Sequence, residues 1–430
     1  MPIPSDASRP TPAALPYHQL PPAYHRWKWR VLLAYAGFYL FIYMGRFNLW
    51  PTAPLVKHDL GIDHQTMGWI NALLLWGFML GDLVHGRLGE MHGLRLWVML
   101  GAILTTVCNW IASFSFSVTT LAIPWFFNGF VNAACWSPGI SLLAQWWPRR
   151  ERGRALGTVG MAAGGAMLLM WLVTGWVGQQ FGWRAAFRYP PLLIGLLGIV
   201  FFILVRDRPA DAGLPEYVEE DELAANAESG SAQYQHGLEP YKRLLSSPQF
   251  MLASQVKGLE NVVRYGLTTW VPLYYFEAAG LEIKTVLLST LVLPLGYALA
   301  PLCAGWISDR LLHSARRPMV ILSAAVSALA LLGIAMLPPT NVVLGMSLLL
   351  VGAFAMSLSP LAAMAVDLAG RHLSGTASGI LDAHGYFYAG LQAIVFGMLL
   401  NMSGANWPLV FFIMAATRVL CGILISFVKA

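Results

Sequence analysis

Apolar residues recur in long unbroken runs along this chain, separated by short polar stretches rich in Arg, Gly and Pro. Twelve runs lie near 30–55, 65–88, 95–115, 118–146, 153–180, 184–205, 250–277, 284–309, 317–338, 341–368, 374–402 and 405–428. A helix of about 20 apolar residues crosses the hydrocarbon core of a bilayer. The runs are continuous, without the alternation of a membrane strand, which argues against a barrel. Gly and Pro inside them suit membrane helices, whose freed backbone groups find partners on neighbouring helices. Composition agrees: 57% of the 430 residues are hydrophobic and 11% charged, against about 25% charged in a soluble domain. The expected fold is an all-α membrane protein with twelve transmembrane helices.

Charge placement sets the expected orientation. One set of loops is basic: Arg26, Lys28 and Arg30; Arg87 and Arg95; Arg149, Arg150, Arg152 and Arg154; Arg310, Arg316 and Arg317; Arg371. The alternate loops hold only Lys57, Arg184, Arg188 and Lys284. The positive-inside rule then puts both termini in the cytoplasm. The formal net charge of +6 follows from this asymmetry. It calls for no nucleic-acid partner, because the basic residues form no single patch. Residues 1–25 are Pro-rich and polar, without the charged start and short apolar core of a signal peptide. They are expected to be a disordered cytoplasmic tail, and the whole a multi-pass protein of the cell inner membrane. Cys108, Cys135, Cys303 and Cys421 match no metal or redox spacing and are expected to pack.

The longest polar stretch is central. RDRPADAGLPEYVEEDELAANAESGSAQYQHGLEPYKRLLSS separates six runs from six. This divides the chain into a tail (1–25), an N-terminal six-helix bundle (26–206), a cytoplasmic linker (207–248) and a C-terminal six-helix bundle (249–430). Two such halves suggest a transporter built from structural repeats. A weak internal repeat supports them: GRLGEMHGLR after the second run, GWISDRLLHSARR after the eighth. Both resemble the G-x-x-x-D-R-x-x-G-R-R loop of the major facilitator superfamily, with Glu90 where Asp is usual. That resemblance implies two pseudo-symmetric bundles.

A few charges sit inside the apolar runs. Arg46 lies in FYLFIYMGRFNLW, where a cation is costly enough to need a reason. On a continuous helix, Tyr39, Tyr43, Arg46 and Trp50 share one face at spacings of four, three and four. That face suits a ligand-lined cavity; alternatively Arg46 snorkels to the interface, helped by Pro51 and Pro54. Arg264 occupies the matching helix of the second half, in KGLENVVRYGLTTWVPLYYFE. Guanidinium offers a planar fork of donors for carboxylate or phosphate. Two arginines on matching helices read as a clamp for an organic anion. Lys257, Glu260 and Arg264 lie three and four apart on one face, so Glu260 and Arg264 are placed to pair, as a gate or as a structural brace. Asp82, in the second run, and Asp382 and His384, in the eleventh, are candidates for coupling or gating; packing is the alternative for His384. Asn128, Asn132 and Arg418 are expected to mediate helix contacts. Trp76 and Trp50 are candidate cavity aromatics.

RYGLTTWVPLYYFE resembles span seven of the organophosphate:phosphate antiporters, the family of the glycerol-3-phosphate and hexose-phosphate permeases. NGFVNAACWSPGISLLAQWWPRRERG resembles that family's fourth span and following loop. VRDRPADAGLPEY resembles its entry to the central loop, and SGTASGILDAHGYFYAG its eleventh span. The resemblance implies that Arg46 and Arg264 bind phosphate and that Tyr39, Tyr43 and Tyr386 are site tyrosines. The chain departs from the glycerol-phosphate branch in the second run, where Leu80 replaces a lysine and Trp76 a tyrosine. In the fifth run only small residues and Met161 stand where that branch has a histidine.

The expectation is a secondary transporter, expected to be monomeric, exchanging an organic anion such as a phosphate ester for inorganic phosphate. Two alternatives stand beside it: a proton-coupled symporter of an organic acid such as a sugar acid, and a transporter-like sensor. No P-loop, Gly-x-Ser-x-Gly, dinucleotide turn or metal-ligand cluster is present in the sequence, so neither an enzyme nor a cofactor is expected.

Overall fold

The computed structural model describes residues 15–218, 239–300, 316–357 and 374–428, with Leu361, Met364 and Leu368. The first half contains α1 (Pro22–Tyr39), α2 (Tyr43–Arg46), α3 (Leu49–Leu60), α4 (His64–His92), α5 (Leu94–Ser113), α6 (Val118–Asn132), α7 (Ser137–Trp146), α8 (Arg149–Phe181) and α9 (Trp183–Leu204). The second contains α10 (Glu239–Leu245), α11 (Pro248–Glu277), α12 (Ile283–Thr290), α13 (Arg316–Met336), α14 (Val342–Ser357), α15 (Ser374–Met402) and α16 (Trp407–Ser426). After a turn at Leu291, helix resumes over 292–300 and completes the α12 span to Ala300. Nine spans among the described residues are long and apolar enough to cross a membrane. The other three expected spans fall on α1–α3, on α11 with its embedded charges, and on α14. The loop copy GWISDRLLHSARR lies almost wholly outside the described residues, as do Cys303 and Arg371.

The first span is not one helix. The chain turns at 40–42, forms the single turn α2, breaks again at Phe47–Asn48 and resumes as α3. Pro51 lacks the N–H that would bond to the carbonyl of Phe47 and crowds that carbonyl, which accounts for the second break. Neighbouring helices satisfy the opened backbone. Asn109 Nδ2 on α5 and Asn128 Nδ2 on α6 each donate to the Gly45 carbonyl at 2.7 Å. Asn48 Nδ2 donates to Asn109 Oδ1 at 2.9 Å. The helix-contact role expected of Asn128 is thus the support of a break. The continuous face expected for Tyr39, Tyr43, Arg46 and Trp50 does not exist, because the breaks re-aim each side chain.

Residues 15–25 of the expected tail are among those described. β1 (Leu15–Pro16) pairs in parallel with β2 (Tyr217–Val218), tying the tail to the start of the central loop. Lys28, 3% exposed, pairs with Glu151 at 2.5 Å, and Tyr17 donates to the same carboxylate at 2.9 Å. These contacts lie on the face where α1 begins and α16 ends, here the terminal face.

Within each half, close crossings use glycine. A Cβ at Gly77 or Gly129 would collide with backbone across the α4–α6 contact, as in tight membrane-helix packing. Between halves, α4 runs along α15, where Gly68 faces the Ala393 carbonyl. Trp171 Nε1 on α8 donates to Thr290 Oγ1 on α12 at 3.0 Å.

The far face is latched across the halves. Lys57 on α3 pairs with Glu277 at the end of α11, and His64 Nε2 lies 2.7 Å from the same carboxylate. Asn401 donates to Asp63 at 2.6 Å and accepts from the His64 amide at 3.2 Å. Hydrogen bonding to Thr66 foremost, and to Asn401, holds the Asp63 carboxyl below the usual range against the opposing effect of burial. Toward the terminal face, no described atom lies within 4 Å of a Cβ built on Gly157, Gly160 or Gly379. The latch contacts close the far face across the halves. Glu277→Gln removes the anion shared by Lys57 and His64. Spin labels at His58 and Glu282 should then report longer far-face distances by double electron–electron resonance; an unchanged distribution would show that the latch does not hold the face shut.

Candidate functional site

Where the latch ends, a cavity of about 200 Å³ opens between the halves. Tyr43, Phe47 and Trp50 line it from the broken first span, and Gly160, Ala163, Gly164 and Met167 from α8. Lys257, Glu260, Arg264, Tyr265 and Thr268 line it from α11, and Tyr297 and Met356 complete it. The helical spacing of the α11 residues puts them on one stripe. The small residues of α8 leave room opposite. Trp50 is fixed by stacking on Phe47, with centroids 4.0 Å apart, and by donating to Asn71 at 3.0 Å.

Arg264 is exposed, and that exposure is to the cavity. Its guanidinium lies 4.9 Å from the Tyr297 ring centroid. Its backbone carbonyl accepts from Thr268 at 2.8 Å and Tyr297 at 3.3 Å. It does not pair with Glu260. Glu260 instead lies 3.3 Å from Arg418 on α16. Arg418 is fully buried and donates to Ser327 at 2.7 Å and Ser323 at 3.0 Å on α13. The expected Glu260–Arg264 pair is overruled because a guanidinium enclosed among α11, α13 and α16 would cost far more unpaired than one facing an open cavity.

Arg46 stands behind the cavity wall. It is 2% exposed, donates to Tyr386 Oη at 2.7 Å, and its guanidinium lies 3.4 Å from the Phe78 centroid and 4.5 Å from that of Phe47. Its Nε has no hydrogen-bond partner. The Tyr386 ring leans on Tyr265, with centroids 5.8 Å apart, so Arg46 reaches the cavity wall through two phenols. The two arginines do not both face the cavity: Arg264 does, and Arg46 is one layer back.

The other sequence candidates divide. Tyr43, Lys257 and Glu260 join Arg264 on the wall. Tyr39 is buried against Trp136 and Tyr43, at centroid distances of 5.2 and 6.0 Å. Trp76 lies in the α4–α15 seam, donating to the Phe387 carbonyl at 3.2 Å. Asp82 accepts from Ser137 on α7. Asp382 is on α15, within electrostatic reach of Lys257 and Arg46. His384 Nδ1 lies 2.9 Å from the Ile380 carbonyl of its own helix. Sequence reasoning missed Phe47, Tyr265, Thr268 and Tyr297. Thr268 had a signal, one turn beyond Arg264 on the same stripe. The latch residues were visible only as Lys57 in a sparsely basic loop and Glu277 at the end of a quoted motif.

The cavity thus holds an open cation among phenols between the two halves. The Major Facilitator Superfamily profile matches residues 35–393 and 294–429, and the chain belongs to that superfamily. It is a multi-pass membrane protein of a transporter superfamily, not an enzyme. It is 26% identical to a probable hexose phosphate transport protein of Chlamydia pneumoniae, covering 87% of this chain and 86% of that one. It is 27% identical to the membrane sensor protein UhpC of Salmonella typhimurium, again covering 87% and 86%. Among solved structures, a bacterial homolog of the human lysosomal transporter Spinster, inward-facing and unoccupied, superposes with a TM-score of 0.72 at 12% identity, covering 94% of this chain and 95% of that one.

The buried pair gives a stability test. Arg418→Met leaves Glu260 without its cation and should destabilise the protein by about 3–5 kcal/mol. Glu260→Gln with Arg418→Met should recover most of that loss in thermal unfolding in detergent. Equal losses in the single and double variants would mean that the pair is not what Arg418 contributes.

Proposed function

We propose that the chain carries an organic phosphate across the bilayer in exchange for inorganic phosphate. The observation that carries this reading is Arg264, a guanidinium open to a central cavity with no carboxylate paired to it among the described residues. A cavity of about 200 Å³ is smaller than the roughly 300–1,000 Å³ of drug-sized sites, so the cargo is small. Tyr43, Tyr265 and Tyr297 add phenol hydroxyls near the anion. Arg46, with its unpartnered Nε, is the second cation. Closure of the halves around the anion brings Tyr386 and Arg46 to bear on it, and this differential interaction shifts the carrier between its two faces. Without an anion, two guanidiniums face closure uncompensated, which disfavours return of the empty carrier and makes exchange the default. With both termini in the cytoplasm, the terminal face is the cytoplasmic one and the Lys57–Glu277–His64 latch is outside.

Two other readings have a specific observation each. Asp82 and Asp382 lie in the seam between the halves, close enough to Arg46 to sense its charge, which favours proton-coupled uptake of an organic acid. The similarity to a membrane sensor protein favours a receptor that binds without flux.

Proteoliposomes separate the three. Uptake of labelled hexose phosphate should require internal phosphate. Arg264→Lys and Arg46→Lys should lower it roughly ten- to hundredfold, the equivalent of about 1.5–3 kcal/mol for a charge-assisted hydrogen bond. Uptake driven by a proton gradient and indifferent to internal phosphate would establish the symporter. Binding without uptake would establish the sensor.

A further inference from the structure

Lys257 is a cavity cation that the phosphate-exchange reading leaves without a task. It lies on the cavity wall on the same stripe of α11 as Arg264. Seven residues of helix separate them, about 10 Å along the axis. Glu260 sits between them, one turn from each, and would ordinarily neutralise one or the other. It cannot do so here, because Arg418 holds it from behind at 3.3 Å and is itself fixed by Ser327 and Ser323. Asp382 is within electrostatic reach of Lys257, yet among the described residues no ion pair joins them. The cavity therefore presents two cations, one toward each end, with the intervening acid neutralised from outside. A substrate anionic at one end only would use Arg264 and leave Lys257 with no charge but that of the unpaired Asp382 near it.

We propose that Lys257 is a second anion-binding residue, and that the carrier prefers small substrates with an anionic group at each end, a phosphate or carboxylate at Arg264 and a carboxylate at Lys257. This rests on the reading of the cavity as the substrate site. Arg418 is a positioning residue for this preference, acting through Glu260.

The test is competition in proteoliposomes between single-ended and double-ended anions of similar size. Glycerol 3-phosphate against 3-phosphoglycerate, and gluconate against glucarate, supply the pairs; the second pair separates carboxylate from phosphate at the Arg264 end. In the parent, the double-ended member should compete better by about tenfold. Lys257→Gln should abolish that preference while glycerol 3-phosphate and inorganic phosphate keep their affinities within about twofold, which also reports that the variant is folded. Lys257→Arg should restore the preference. Arg418→Gln, if it folds, should weaken the double-ended ligands more than the single-ended ones, because the released Glu260 then competes for Lys257. Equal affinities in the parent, or a uniform loss in Lys257→Gln, would overturn the proposal and leave the cavity as a single-anion site. A parent that binds none of the four organic anions would overturn the cavity reading itself, and the proposal with it.

Discussion

The ion pair between Glu260 and Arg418 fixes the one carboxylate among the described residues that line the cavity. A carboxylate on the cavity wall, within one helical turn of two cations, would cancel one of them if left alone. Arg418, buried on the far side of α11 and braced by two serines of α13, draws it back. Removing one partner of such a pair is expensive, because the other charge is left buried. The pair is therefore held by the C-terminal bundle whatever occupies the cavity, and Arg264 and Lys257 stay available to an anion from solution. The N-terminal bundle has its own charge problem at Arg46, solved by aromatic rings and the Tyr386 hydroxyl instead of an acid. Each half thus keeps a guanidinium that pairs with no carboxylate among the described residues, as the proposed anion site needs.

The broken first span positions the N-terminal contribution. A straight helix would have run its polar face past the site in one line. Two breaks, supported by Asn109 and Asn128 at the Gly45 carbonyl, set Tyr43, Phe47 and Trp50 on the wall and Arg46 behind it. Irregular backbone at membrane depth is tolerated where protein surrounds it or it lines a cavity. Here it does both. The latch on the far face ties α3 and α4 to the ends of α11 and α15.

Much of this was legible in the chain. Runs of about 20 apolar residues mark membrane spans whatever their packing, so the all-α membrane fold could be read directly. Arg46 and Arg264 stood out because a charge in such a run needs a reason. What could not be read depends on partners distant in sequence. Local spacing rules pair Glu260 with Arg264; only the fold brings Arg418 beside it. Periodicity placed Tyr39, Arg46 and Trp50 on one face because Pro51 and Pro54 were weighed as interface markers, not as breaks. Helix identity points Trp76 to the cavity, yet a helix in a bundle has several neighbours, and Trp76 lies in the α4–α15 seam, as Tyr39 lies against Tyr43 and Trp136.

The most direct test of the central claim, an anion site at Arg264 open to one face, uses a single cysteine at Gly160 in a chain lacking its four native cysteines. Gly160 lines the cavity, and no described atom lies within 4 Å of a Cβ built there. In oriented vesicles a membrane-impermeant thiol reagent should label this position from the terminal face only, and phosphate or a phosphate ester should slow the labelling in the parent but not in Arg264→Lys. Labelling that proceeds equally from both faces, or that no anion slows, would contradict the account.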